Sequence, residues 1–548
     1  MSTLMSRMFV RVAAAASLVA VLAVAPSFSQ APRTKGEDRV ELIMGGLPVA
    51  GSPEYKALLK HAGKAKGQVL ELTRCEMWSV PRQNLSALQR AAAVKNVSVR
   101  VLDETWNQVF TPVPSTAPMV GPVKSMHDMA MQSRATGTIG IMNTRTASMV
   151  EYALTKGMYE KDAAKHPMTI KIALNDKTTV TAVRQSVIIA GDRCTWRGVV
   201  EGTVQPVTIM WWGSGRITGT IHHGDRIYQL KQFADDTIGI VESMMDRMPD
   251  EHPRTAPKRM LEMKMRDDTI FMQGDTSGAR PRPKRNDVDD AKDARDNVAK
   301  GIRTALVGPK STAKSPPKAA EKKNAGVAQV TIDVMVVYTA KAAAHYSDIR
   351  RDLIELAIEE TNQSLRASKI DNVTIRLVHT HKTNYVEDGA EHFDHVWRMV
   401  DRDGFMDDVP MLRDEKKADI VILVVDDGAG CGLATRVAAD AEEAYAVVHH
   451  ECAATSYSIA HEIGHIIGTR HDRSLDQNAL PFPHGHGFVS PDLRWRTMMS
   501  YKSGCNGCPR LPIWSTPDKV VEGKPAGDQW HNNAAVIRDH AARVAAFR

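Results

Sequence analysis

Between Ser456 and Asp472 the chain reads SYSIAHEIGHIIGTRHD. His461 and His465 stand four residues apart, so on a helix both imidazoles project from one face and can reach one metal ion. Glu462 lies beside them, placed to act on a water at the metal rather than to bind the ion. Gly468 lets the chain leave the helix in a left-handed conformation, and that turn brings back His471 as a third nitrogen. Three neutral imidazoles leave a fourth position open, which distinguishes a catalytic Zn2+ site from a closed structural one. A helix with surface histidines would account for HExxH alone, but the extended HExxHxxGxxHD in one segment is far more specific. Asp472 is expected to anchor the turn through hydrogen bonds rather than to bind metal.

A second element lies downstream. Arg496 to Tyr501 reads RTMMSY, with Met499 placed 28 residues beyond His471. This resembles the methionine turn of the metzincin zinc peptidases, in which a Met underlies the metal; Met498 is the neighbouring alternative. Further segments narrow the likeness: IDVMVVYT at Ile332–Thr339, ADIVILVV, Cys431-Gly432-Leu433-Ala434 and IWSTP at Ile513–Pro517. Together with the zinc motif they resemble the peptidyl-Asp metalloendopeptidases, relatives of the adamalysin group, over residues of about 330–548. Weaker likeness to the pro-region of such proteins extends over Thr195–Pro253.

The resemblance implies one Zn2+ on His461, His465 and His471, with Glu462 as general base. It implies protein or peptide substrates cut on the N-terminal side of Asp, in a site where an acidic side chain needs a cationic partner. Lys502 and Arg510 are the candidates for that partner, with Arg494 and Arg496 behind them. Tyr501 is a candidate donor to the oxyanion, or its hydroxyl satisfies a buried backbone group. His484-Gly485-His486-Gly487 reads as a glycine-rich loop near the cleft rather than a second metal site.

The elements that must position these residues are legible as periodicity. Val330 to Tyr338 and Ala418 to Val425 are apolar runs of strand type, Val373-Ile375-Leu377 alternates, and Tyr445 to Val448 fits an edge strand. Arg351 to Ser368 and Phe393 to Val400 carry apolar residues at helical spacing. This β-α-β-α-β order predicts an α/β (α+β) metzincin-type catalytic domain over 329–548. Upstream, strands at Gln68–Leu72 and Val97–Leu102 flank a helix at Asn84–Val94, in a mixed α/β pro-region over 30–165. Repeated strands, among them Thr169–Ala173, Val207–Trp212 and Ile217–Ile221, predict a β-rich pro-domain over 166–270.

The flanks complete the organisation. Arg7 and Arg11 precede the apolar run Val12–Ala25, which is too short to span a bilayer and reads as a signal peptide over 1–29. Residues 271–328 are rich in Lys, Arg, Pro and Asp and read as a basic linker with dibasic pairs at Lys284-Arg285 and Lys322-Lys323. The formal charge of +7 over 548 residues divides unevenly: residues 329–548 hold 24 Lys+Arg and 32 Asp+Glu, or −8, leaving +15 for residues 1–328. A basic total therefore does not argue for nucleic acid, and from Met272 to Val337 there is no aromatic residue to stack bases. Export puts the six cysteines in an oxidising compartment. Pairing within the group Cys431, Cys452, Cys505 and Cys508, and between Cys75 and Cys194, is the simplest reading, with a local bond at Cys505 and Cys508, although sequence does not fix connectivity; the alternative for Cys75 or Cys194 is a thiolate held on zinc for latency. The expectation is a secreted, monomeric zinc endopeptidase made as a zymogen, its own pro-region blocking the cleft. The competing readings are a broad-specificity metzincin protease, and a secreted binding or adhesion protein with an inactive zinc domain.

Overall fold

The computed structural model describes residues 38–62, 68–158, 168–251 and 328–548. The signal peptide and the linker with its dibasic pairs lie outside these residues. The chain divides into two units, residues up to 67 with 77–101, and residues 68–76 with 102–548. In the first part of the chain the strands are β1 (Arg39–Gly45), β2 (Val69–Leu70), β3 (Cys75–Pro81) and β4 (Ser98–Val101). β1 pairs antiparallel with β4, and the helices Pro53–Ala62 and Leu85–Ala93 bury Leu58 and Leu88 in a small apolar core with Leu42 and Trp78.

The larger unit holds two large sheets and a short hairpin of Thr516–Val521 with Lys524–Ala526. β5 (Phe110–Pro112), β6 (Thr136–Thr144), β7 (Thr169–Ala173), β8 (Thr179–Ala190), β9 (Arg193–Val200), β10 (Pro206–Trp212), β11 (Ile217–His223), β12 (Arg226–Ala234) and β13 (Thr237–Ser243) form one sheet in the order β5-β6-β13-β12-β11-β10-β9-β8-β7. Tight turns at Gly191, Gly215 and Gly224, all at positive φ, join neighbouring strands as hairpins. The boundary expected at 165 is corrected here: β5 and β6 precede it, yet β6 pairs with β13. Local periodicity could not reveal that closure, because the partner strand lies about a hundred residues on.

The second sheet has the order β15-β14-β16-β18-β17, from β14 (Val330–Tyr338), β15 (Val373–Lys382), β16 (Ile420–Val425), β17 (Gly432–Ala434) and β18 (Tyr445–His449). Its first four strands are parallel, and β17 runs antiparallel to β18. Alternation along β14 and β16 divides two cores. Val334, Val336, Ile422 and Val424 pack with the helices Glu355–Ala367 and Ser458–Ile467, whereas Met335, Val337, Leu423 and Val425 pack with the helix His392–Val400. Tyr445–Val448 was expected at the edge; the short β17, whose three residues are too few for a periodic signal, takes that place instead.

The two sheets meet through β10 and β11. Met210 and Trp212 enter the core of the second sheet's helices. Around them Arg193 pairs with Glu355 at 3.1 Å, Arg216 with Asp352 at 2.6 Å, and Arg197 with Glu359. Thr220 donates to Glu360, and Thr208 to Gln363 at 2.9 Å.

Of the cysteines, Cys431 is bonded to Cys452 and Cys505 to Cys508. The expected Cys75–Cys194 bond is absent, and both thiols are free. Cys194 lies on β9 in the apolar core beside Trp196, where burial pushes its thiol up to about 12. A thiol so far from ionising is a poor metal ligand. Among the described residues neither cysteine joins a metal-binding cluster, so the latency alternative also finds no support.

Candidate active site

Every residue of the helix Ser458–Ile467 is buried. Gly464 permits this on one side, because a Cβ there would lie 2.7 Å from the ring of Trp514. Trp514 is fixed in turn by its indole N–H on Ser364 Oγ at 3.0 Å and its backbone N–H on Ser368 Oγ at 2.7 Å. The helix stops at Gly468, where φ is +133° and a Cβ would meet the ring of Phe482 at 2.5 Å. Arg543, on the helix Asn533–Val544, donates to the carbonyls of Ile466 and Ile467 that this ending leaves without helical partners.

The turn after Gly468 brings His471 back to the helix. Its Nε2 lies 3.1 Å from Nε2 of His461 and 2.9 Å from Nε2 of His465. The opposite nitrogens of the two helical rings are engaged by carbonyls, Nδ1 of His461 by Met498 at 3.1 Å and Nδ1 of His465 by Thr469 at 3.0 Å. With Nδ1 donating, the Nε2 lone pairs face one another, an arrangement that suits a cation between them. Three buried, neutral nitrogen donors fit zinc.

Glu462 is buried, accepts from the backbone N–H of Ala434 on β17, and lies so close to Gly432 that a Cβ there would be 2.4 Å from its Oε1. Burial pushes its carboxyl up to about 8, opposed by the Ala434 N–H and by Arg510. A cation on the neighbouring histidines would draw it back down.

Asp472 ties two turns together. One carboxylate oxygen accepts from Ser474 and the other from the backbone N–H of Tyr501 at 3.1 Å. The Tyr501 ring is held 4.3 Å from that of His471. Met498 and Met499 are both fully buried in the main core, with the Met498 carbonyl on His461. The loop at His484–Gly487 exchanges backbone hydrogen bonds with Arg470, and His486 Nδ1 donates to the His471 carbonyl at 2.8 Å. It supports the turn carrying the third histidine.

The four candidate cations separate. Arg496 and Arg510 are buried and share the carboxylate of Glu251, while Lys502 contributes its backbone N–H to the same group. Arg494 is on the surface with Glu522. Glu251 went unnoticed in the sequence, where one Glu in a polar stretch carries no local signal. A second histidine group, His345 and His450 on Asp426 at 3.2 and 3.0 Å, was also missed. Lys341 already places its ammonium 3.3 Å from that carboxylate, which makes this group a hydrogen-bonded cluster.

Comparison with known proteins agrees with this geometry. Residues 328–512 match the family model described as Metallo-peptidase family M12. A peptidyl-Asp metalloendopeptidase of Xanthomonas campestris pv. campestris is 31% identical over 387 residues, which span 68% of this chain and 80% of that protein. A protein of the same name from Stenotrophomonas maltophilia is 36% identical over 222 residues, 40% of this chain and 53% of that one. Among solved structures, metalloproteinase-II from Bacteroides fragilis overlaps 57% of this chain and 86% of its own at 13% identity and a TM-score of 0.29, too remote to bear on the fold. With a relative matched over four-fifths of its length, the chain belongs to the peptidyl-Asp metalloendopeptidase family and is a zinc metalloendopeptidase.

Proposed function

We propose that the chain is exported as a zymogen and that the mature enzyme cuts peptide bonds preceding Asp, with zinc on His461, His465 and His471 and Glu462 as general base. The observation that carries the reading is the convergence of the His461 and His465 Nε2 atoms on that of His471, at 3.1 and 2.9 Å, beside a buried carboxylate. When bound, zinc supplies a Lewis acid that polarises the scissile carbonyl and lowers the pKa of water. Glu462 accepts the proton of the attacking water and returns it to the departing amine. Its grip by the Ala434 N–H fixes the carboxylate beside the edge strand, where an extended substrate would lie. Tyr501, its ring tilted at 50° to that of His471 and 4.3 Å from it, donates to the oxyanion in this reading. The sheet docked through β10 and β11 belongs to the pro-region and keeps the uncut chain latent. The short apolar N-terminal run directs export, and no helix among the described residues is long and apolar enough to cross a membrane.

Glu462→Gln tests the mechanism. The variant should bind one equivalent of zinc and lose peptide hydrolysis by a factor of about 10² to 10⁴, the usual worth of a general base. Retained turnover would exclude Glu462 from that role. Profiling a peptide library against the activated enzyme tests specificity, and indifference to the residue after the cut would favour a broad-specificity protease.

A further inference from the structure

Beyond β13 the chain of the β-rich sheet runs on to Glu251, and this tail lies in the cleft of the catalytic domain. The Asp250 carbonyl accepts from the backbone N–H of Cys431 at 2.7 Å, immediately before edge strand β17. Unpaired edges accept extended peptides in this way. The next side chain turns inward. Glu251 Oε1 meets Nη1 of Arg496 and, at 2.6 Å, Nη2 of Arg510; Oε2 accepts from the Lys502 N–H at 2.9 Å.

The guanidinium groups are held independently of this carboxylate. Arg496 also donates to the Cys508 carbonyl at 3.0 Å, and Arg510 to the Ser456 carbonyl at 2.8 Å. Two buried cations side by side leave a positive site that needs an anion. Burial alone would push the Glu251 carboxyl up, but Arg510 and Arg496 outweigh it and hold the group below its usual range, so it is anionic at neutral pH. The site adjoins the chemistry, since Tyr501 precedes Lys502 and Arg510 acts on the charge of Glu462. A cavity of about 1190 Å³ runs past both arginines, its lining including Asp250, Glu251, Ser456 and Tyr501.

We propose that Arg496 and Arg510 form the pocket receiving the acidic side chain that follows the cut, and that Glu251 fills it in the uncut chain as a built-in substrate mimic. The proposal rests on the acidic preference stated above and adds its physical basis. A paired guanidinium site binds a carboxylate with two donors and would leave an amide isostere short of a charge. The pro-region thereby blocks the enzyme with the group the enzyme selects.

The test uses the full chain, uncut and after cleavage of its linker at Lys and Arg residues, with two quenched peptides differing only as Asp or Asn after the scissile bond. Uncut Glu251→Gln should hydrolyse the Asp peptide at least about tenfold faster than the uncut parent, because a tethered plug acts at high effective concentration. Asp176→Asn, an exposed carboxylate in the β7–β8 turn, should leave the uncut rate unchanged. After cleavage, the parent should prefer Asp to Asn by at least about tenfold, and Arg510→Gln should lose that preference while Arg510→Lys keeps part of it. Zinc content and melting temperature confirm that each variant has folded. No Asp/Asn discrimination in the cleaved parent overturns the acidic preference and this pocket with it. Discrimination intact, with Glu251→Gln as latent as the parent, overturns the occupancy by Glu251 alone. Discrimination surviving in a folded Arg510→Gln variant overturns the pocket.

Discussion

Gly432 faces Glu462 with no room between them, since a methyl group on it would fall 2.4 Å from Oε1. Gly432→Ala should therefore displace the carboxylate without touching the three histidines. On the role proposed for Glu462, the expected result is full zinc content with kcat reduced by about 10² or more, because a misplaced base costs most of its catalytic worth. Metal analysis beside peptide kinetics checks this, and loss of zinc instead would mean that the helix itself had moved. At this scale much of the site was legible, because His461, Glu462, His465 and His471 owe their meeting to one helix and one turn. Arg510 and Arg496 were read as candidate cations, but their partner Glu251 lies some 250 residues upstream. No local pattern encodes such a pair.

Among the elements, the zinc-motif turn and the Met-containing turn are joined by the Asp472 carboxylate on the Tyr501 N–H. Asp472→Ala should cost about 1–3 kcal/mol of stability, the usual price of orphaning a buried donor. It should also lower kcat more than it raises KM, since Tyr501 and Met498 hold positions around His471 and His461. Thermal melts together with steady-state kinetics distinguish this from a local surface effect. Apolar periodicity located β14, β16 and most of the helices, because half-buried and buried strands print their burial on the sequence. It failed for β17, where three residues take their role from pairing with β18. It failed again at 165, where β6 and β13 close a sheet across a long insertion. The Cys75–Cys194 expectation failed for a related reason: an even count says nothing about where two strands will carry their thiols.

For the whole molecule, the uneven charge finds a structural counterpart in Arg193, Arg197 and Arg216 of the β-rich sheet facing Glu355, Glu359 and Asp352. These pairs are largely shielded from solvent, so salt should weaken the docking less than it would weaken exposed pairs. Protons should act more strongly. Glu360 is covered by Thr220, Thr208 and Arg197, and burial lifts its carboxyl from 4.5 to about 7. A raised carboxylate disfavours the docked state above its docked pKa, and this penalty disappears below the undocked value. The Glu360 contribution should therefore favour docking of the cleaved halves as pH falls from 7 towards 4.5, by up to about 1.4 kcal/mol per pH unit, while His222, buried against Tyr457 and lowered to about 4, acts in the opposite direction. Gel filtration of the linker-cleaved parent and of its Glu360→Gln variant across that range separates the two, and the parent should gain on the variant as pH falls.

The three-residue strand β17 has a consequence for which proteins in a mixture would survive exposure to this enzyme. It offers a single short rail beside Glu462, and in the proposed mechanism a polypeptide must lie straight along it to be cut. Under the proposed specificity, an aspartate wound into a helix, or already hydrogen-bonded within a sheet, would not present itself so. Folded targets would then be nicked at loops and frayed ends, and denatured chains reduced to fragments. The durability of a target would follow its local unfolding more closely than its aspartate content.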